Sequence, residues 1–288
     1  MLKIVKIILL SIWNVWFYVL AFIGILTTFP LLILFSSSER FYPQFYWVAR
    51  NIWSNIILFG MGFWPVVKNK KKLEKGKSYM VVANHKSMID IMLMVYCCKH
   101  PIVFVGKKEL DKIPVFGYFY SKVCILVDRD NPESRKDVYS KSIKRLEKGV
   151  SICIFPEGGV PEPGVVLREF KNGAFNLAIQ FQIPIVPLSF YDCERRFPYF
   201  FAYNYFVGGP GKLRVKFHDF IETVGLEQKN RDELKKNVYT VLKRDLAKSY
   251  RSGEFQIFLS PTPHTILDCL STMFILRPYL DLIWCLHN

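Results

Sequence analysis

From Ile7 to Ser38 the chain carries no charged residue, and this run limits the possible folds more than any other feature. About 20 apolar residues suffice to cross a bilayer, so the N-terminus is committed to a membrane rather than to a water-facing surface. Lys3 and Lys6 precede the run, as in a signal peptide, but it is too long for one and no small-residue cleavage site follows. Pro30 is expected to bend or end the helix. A second apolar stretch, Asn51 to Val67, holds Trp53, Phe59, Phe63 and Trp64 together with Asn51, Asn55 and Pro65. A helix lying in the interface or dipping into one leaflet fits it better than a clean span. Residues 1–67 are therefore read as a membrane-associated helix pair. Lysines outside the pair, at 68 and 70–72, put both of its ends on the cytoplasmic side by the positive-inside bias. These lysines suit either anionic headgroups or a solvated linker.

The formal charge is +15, from 39 Lys and Arg against 24 Asp and Glu. Such an excess attracts an anionic partner, either nucleic acid or phospholipid. No nucleic-acid motif occurs and the mean hydropathy is positive, so membrane phospholipid is the expected partner and nucleic acid is not. Seven scattered cysteines form no C-x-x-C pair, and the histidines do not cluster with them. Neither a disulfide framework nor a metal site is expected, and no cofactor motif is present. Buried free thiols facing a reducing cytosol fit this usage.

Residues 68–254 alternate between two periodicities. Strand-like runs cover Tyr79–Ala83, Ile102–Val105, Ile125–Val127, Ser151–Phe155, Ile183–Phe190 and Leu213–Phe217. Helical segments cover Met88–Cys98, Pro114–Val123, Glu133–Lys148, Gly173–Phe181 and Asp232–Lys248. Strands separated by helices predict an α/β domain, a mixed sheet flanked by helices. The remainder, 255–288, is an apolar tail to which no chemistry is assigned.

Within this domain Tyr79–Ala83 runs into Asn84-His85, and Ser87 opens a helix. His85 thus stands at a strand-to-helix corner, where side chains reach a cleft. Asp90 in the first helical turn can orient the imidazole as a general base. Equally, Ser87-x-x-Asp90 reads as a loose capping box serving only the helix end. Three further stretches stand out. Lys107 follows a strand, and Arg129 closes Val127-Asp128-Arg129, suited to a phosphate or to a surface ion pair. Phe155-Pro156-Glu157-Gly158-Gly159 ends a buried strand with two glycines that let a ligand approach, or it is a plain turn. Phe170-Lys171-Asn172-Gly173 precedes Ile183-Pro184-Ile185-Val186-Pro187, an irregular strand framed by prolines. No G-x-S-x-G elbow accompanies His85, so the hydroxyl it would activate belongs to a substrate. Without a nucleotide loop, the other reactant must already be activated, as a thioester is.

In this order the four stretches resemble the glycerolipid acyltransferase family, particularly the bacterial 1-acyl-sn-glycerol-3-phosphate acyltransferases. His85 through Asp90 is similar to its H-x-x-x-x-D block, Phe155–Gly158 to its F-P-E-G block, Arg129 to the arginine of the second block and Ile183–Pro187 to the fourth. The resemblance implies that His85, oriented by Asp90, deprotonates the free hydroxyl of 1-acyl-sn-glycerol-3-phosphate. The oxygen then attacks an acyl-CoA or acyl-carrier-protein thioester. Asn84, Lys107, Arg129, Glu157, Gly158 and Lys171 are the implied substrate-binding residues, and the implied seat is the cytoplasmic face of the inner membrane. One position departs: Gly159 stands where the family's third block continues with Thr or Ser. That opens the acceptor to other hydroxylated lysolipids, including amino-acid lipids. A thioester hydrolase and a non-catalytic lipid carrier are the competing expectations.

Overall fold

The computed structural model describes residues 2–69, 73–74, 76–113, 116–128, 131–162, 164–199 and 208–250. The tail 255–288, Arg129 and Lys70–Lys72 lie outside the described residues.

Helix α1 (Leu2–Ser36) is long and apolar enough to cross a membrane. It does not end at Pro30, because the helix runs on to Ser36. Just before the proline, the Thr27 and Thr28 hydroxyls bond back to the carbonyls of Ile23 and Gly24, a local arrangement seen where a helix accommodates a missing N–H. Phe17, Leu20, Thr28 and Leu32 are buried, whereas Leu9, Ile12, Trp16, Phe22, Leu26 and Phe29 are exposed. One stripe therefore docks on the protein and an apolar face remains uncovered. Gly24 makes the docking close: a Cβ there would sit 2.7 Å from the Trp53 ring.

The second apolar stretch corrects the expectation of a membrane helix pair. It is a helix that gives way to a strand. Helix α2 (Tyr42–Val48), a π-helical turn (Ala49–Trp53) and α3 (Ser54–Gly60) run on from each other, half-buried against the domain. Gly62, at φ +70°, turns the chain into β1 (Phe63–Lys68). Phe63 is buried while Trp64 is exposed, which is strand alternation and not a helical stripe. Pro65 lacks the N–H that a central strand needs, and β1 is an edge strand.

Apart from the short helix Cys193–Arg196, the remaining elements follow the sequence reading closely. They are β2 (Met80–Ala83), α4 (Ile89–Cys97), β3 (Ile102–Lys107), α5 (Phe116–Val123), β4 (Ile125–Val127), α6 (Pro132–Leu146), β5 (Ser151–Ile154), α7 (Gly173–Gln180), β6 (Ile185–Phe190), α8 (Cys193–Arg196), β7 (Gly211–Phe217) and α9 (Arg231–Ser249). The sheet order is β1-β7-β6-β2-β5-β3-β4. Strands β6, β2, β5, β3 and β4 pair parallel, and β7 pairs antiparallel to β6. The sheet is mixed and covered on both faces, as its continuous apolar strands require. On one face Val81, Leu93, Met94 and Leu188 pack with Phe17 and Leu20 of α1. On the other, Met80, Val82 and Ile152 pack with Phe175 of α7 and Val238 and Leu242 of α9. Each such buried side chain contributes about 1.5–3 kcal/mol.

Parallel strands β2, β5 and β3 are neighbours, so their carboxyl ends share one edge of the sheet. His85 follows β2, Glu157 follows β5 and Lys107 ends β3. In open α/β sheets this edge is where ligands bind.

Candidate active site

The site is assembled around one carboxylate oxygen. Asp90 is fully buried, and its Oδ2 lies 2.9 Å from His85 Nδ1. The same oxygen accepts the backbone amides of Lys86 at 2.6 Å and Ser87 at 2.8 Å. Both local readings of this stretch therefore hold at once: Asp90 satisfies orphan amides at the start of α4 and also holds the imidazole. With Nδ1–H donating to the carboxylate, Nε2 keeps its lone pair and can take a proton. The ring is 17% exposed, enough to meet a ligand from one side. Its face stacks on Phe155, centroids 4.4 Å apart and 19° from parallel. Carboxylate, backbone corner and aromatic face together fix the ring's orientation.

Behind Asp90 stands Cys193, buried, its thiol pushed well above the ordinary value by burial and then by the neighbouring carboxylate. It stays a neutral thiol there. The Ser87 hydroxyl donates to the Phe197 carbonyl, and the Phe197 ring packs on Phe17 and Trp13 of α1 at 4.7 and 5.6 Å. Helix α1 thus braces the histidine corner through a single intervening residue.

Residues 65–191 match the family model described as Acyltransferase. This stretch is similar to the acyltransferase family. The chain is 28% identical over 185 residues to an uncharacterized acyltransferase of Schizosaccharomyces pombe, covering 62% of this chain and 64% of that protein. It is 30% identical over 139 residues to the human 1-acyl-sn-glycerol-3-phosphate acyltransferase beta, covering 46% of this chain and 50% of the relative. The chain spans about half to two-thirds of the length of the curated relatives it matches. The crystal structure of the 1-acyl-sn-glycerophosphate (LPA) acyltransferase PlsC from Thermotoga maritima has the same fold. The TM-score is 0.68 at 22% identity, over 84% of this chain and 97% of that one.

Within residues 65–191, several of the sequence-predicted residues build the corner that holds His85. Glu157 is one of them, which corrects its expected role as a phosphate ligand. Its side chain is fully buried, Oε1 accepts the His85 amide at 2.8 Å and Oε2 accepts the Arg168 amide at 2.8 Å. Burial raises its carboxyl above the ordinary value, while those two amides and the nearby Lys86 pull it back. A carboxylate occupied in this way is a clasp between two loops. Asn84 is corrected likewise. It is buried, and its amide both donates to the Phe190 carbonyl at 3.0 Å and accepts the Phe190 amide at 2.8 Å, extending the β2–β6 pairing. Gly158 takes φ +79°, a conformation that lets the chain double back from Phe155. Lys107 is half-buried at the end of β3, and Lys171 is exposed, with its backbone amide donating to the Pro156 carbonyl at 2.7 Å.

Two cations escaped the sequence reading. Lys86 is buried, with Nζ on the Val165 carbonyl and 3.5 Å from Glu194 Oε2. Arg168 lies in the irregular loop between the third and fourth blocks. Lys86 was visible as a lysine inside an otherwise buried corner, but nothing local marks Arg168.

The clasp gives a direct test. In Glu157→Gln one backbone amide must face the new NH₂ in a fully buried site, and an unsatisfied buried donor costs about 1–3 kcal/mol. The expected result is a melting temperature roughly 3–10 °C lower, with reduced turnover because the His85 amide is one of the pair. Unchanged melting and turnover would show that the carboxylate is not the clasp.

Proposed function

We propose that the chain is a membrane-associated O-acyltransferase that moves an acyl chain from a thioester to the free hydroxyl of 1-acyl-sn-glycerol-3-phosphate, giving phosphatidic acid. The observation that carries this reading is the His85–Asp90 pair, at 2.9 Å, on the carboxyl edge of an acyltransferase-like sheet braced by an apolar N-terminal helix. The names of the relatives support the same acceptor.

In this reading His85 Nε2 removes the acceptor's hydroxyl proton as the oxygen attacks the thioester carbonyl. Asp90 stabilises the imidazolium that forms. The tetrahedral adduct collapses, the C–S bond breaks, and the thiolate takes the proton from Nε2. A C–O ester bond and a free thiol result. The donor is acyl-CoA or acyl-carrier protein, and the enzyme works at the cytoplasmic face of the inner membrane, where +15 of net charge favours anionic lipid.

A matrix of donors and acceptors, with purified full-length protein and mass analysis of the lipid product, tests it. The expected product is phosphatidic acid, formed only when lysophosphatidate is supplied. Rapid thioester cleavage without acceptor would make the chain a hydrolase. Selective acylation of a headgroup other than glycerol phosphate would replace the acceptor.

A further inference from the structure

We infer that Arg168 is the specificity-determining cation that binds the phosphate of the acceptor. The inference rests on the acceptor proposed above and names a residue outside the four sequence blocks. Its position comes from the clasp: the backbone amides of His85 and Arg168 hold the two oxygens of the same Glu157 carboxylate, each at 2.8 Å. Arg168 is therefore separated from the proposed base by the width of one carboxyl group at the backbone.

The loop that carries it is pinned along its length. Lys86 Nζ donates to the Val165 carbonyl, Tyr239 OH donates to the Leu167 carbonyl at 3.2 Å, and the Lys171 amide holds the Pro156 carbonyl at 2.7 Å. What is not pinned is the guanidinium. It is half-buried, and among the described residues its side chain makes one hydrogen bond, 3.5 Å from Nη2 to the Val160 carbonyl, and no carboxylate pairs with it. Arg145, Arg214 and Arg231 are neutralised by Glu39, Asp192 and Asp232, whereas Arg196, like Arg168, reaches a backbone carbonyl. A partly desolvated guanidinium without an anion is costly, and a phosphate matches its donors bidentately.

Gly159 completes the site. Among the described residues, a Cβ at this position would meet only Arg168 Nη1, at 4.0 Å. A Thr or Ser there would put its side chain against the guanidinium, and glycine leaves that face open to a ligand. The departure at Gly159 and the Arg168 guanidinium thus lie side by side.

The test is acylation kinetics of Arg168→Ala and Arg168→Lys against wild type. The expected result for Arg168→Ala is a KM for lysophosphatidate at least tenfold higher, with kcat within threefold and the donor KM unchanged. Inhibition by glycerol 3-phosphate should weaken by a similar factor, and Arg168→Lys should fall between the two, since it keeps charge but loses the fork. An unchanged lysophosphatidate KM beside a His85-dependent wild-type activity overturns this inference alone. So does a loss confined to kcat or shared with the donor KM, which marks a scaffold residue. A wild-type chain that acylates another lysolipid and ignores lysophosphatidate overturns both this inference and the proposed acceptor.

Discussion

His85→Ala is expected to lower acyl transfer by about 10²–10⁴-fold, the usual range for a general base. That corresponds to about 3–5 kcal/mol of barrier at 1.36 kcal/mol per decade. The loss should fall on kcat, because the imidazole contributes most as the hydroxyl proton leaves. Folding should survive, since Asp90 Oδ2 keeps the Lys86 and Ser87 amides when the ring is gone. Membrane association should survive too, because the exposed apolar face of α1 lies on a separate element. The check is turnover with saturating lysophosphatidate and thioester, alongside melting temperature and flotation with vesicles. Transfer at wild-type rates would remove His85 from the chemistry and leave its bond to Asp90 as a structural cap.

Much of this site was legible because its signals are local. The apolar run Tyr79–Ala83 and the Ser87-x-x-Asp90 cap lie within a dozen residues, so strand, corner and helix could be read together. The six strands and five helices assigned between residues 79 and 248 all occur, with ends shifted by a few residues, because each is short and bounded by Gly, Pro or charge. What failed was set by distant partners. Glu157 looked like a ligand because it ends a strand beside two glycines. Its actual partner, the His85 amide, lies 72 positions away. Asn84 bonds across 106 positions to Phe190. The strand Phe63–Lys68 was hidden for another reason: it continues an apolar run from α3, and only the positive φ at Gly62 and the pairing with β7 reveal the break. Arg168 sits in a loop without periodicity, where sequence carries no information about proximity.

Asp90 allows charge and scaffold to be separated, because one of its oxygens does both jobs. In Asp90→Asn the amide oxygen can occupy the Oδ2 position and still accept His85 Nδ1–H and the two backbone amides. The NH₂ then takes the position of Oδ1, which is buried and has no hydrogen-bond partner among the described residues. Geometry and tautomer are kept, and the negative charge beside the developing imidazolium is lost. Two unit charges about 4 Å apart interact by about 4 kcal/mol at an effective dielectric of 20. The expected effect is therefore a fall in kcat of about 10²–10³-fold, with melting temperature within a few degrees of wild type. Asp90→Ala removes the acceptor as well, leaving the Lys86 and Ser87 amides orphaned in a buried corner, at about 1–3 kcal/mol each. That variant should lose at least as much activity and also melt roughly 5–15 °C lower. The diagnostic quantity is the contrast between the two. If Asn and Ala variants lose stability equally, the amide has not kept the oxygen's contacts. If Asn transfers acyl groups at the wild-type rate, the carboxylate serves the helix end and the imidazole works without it.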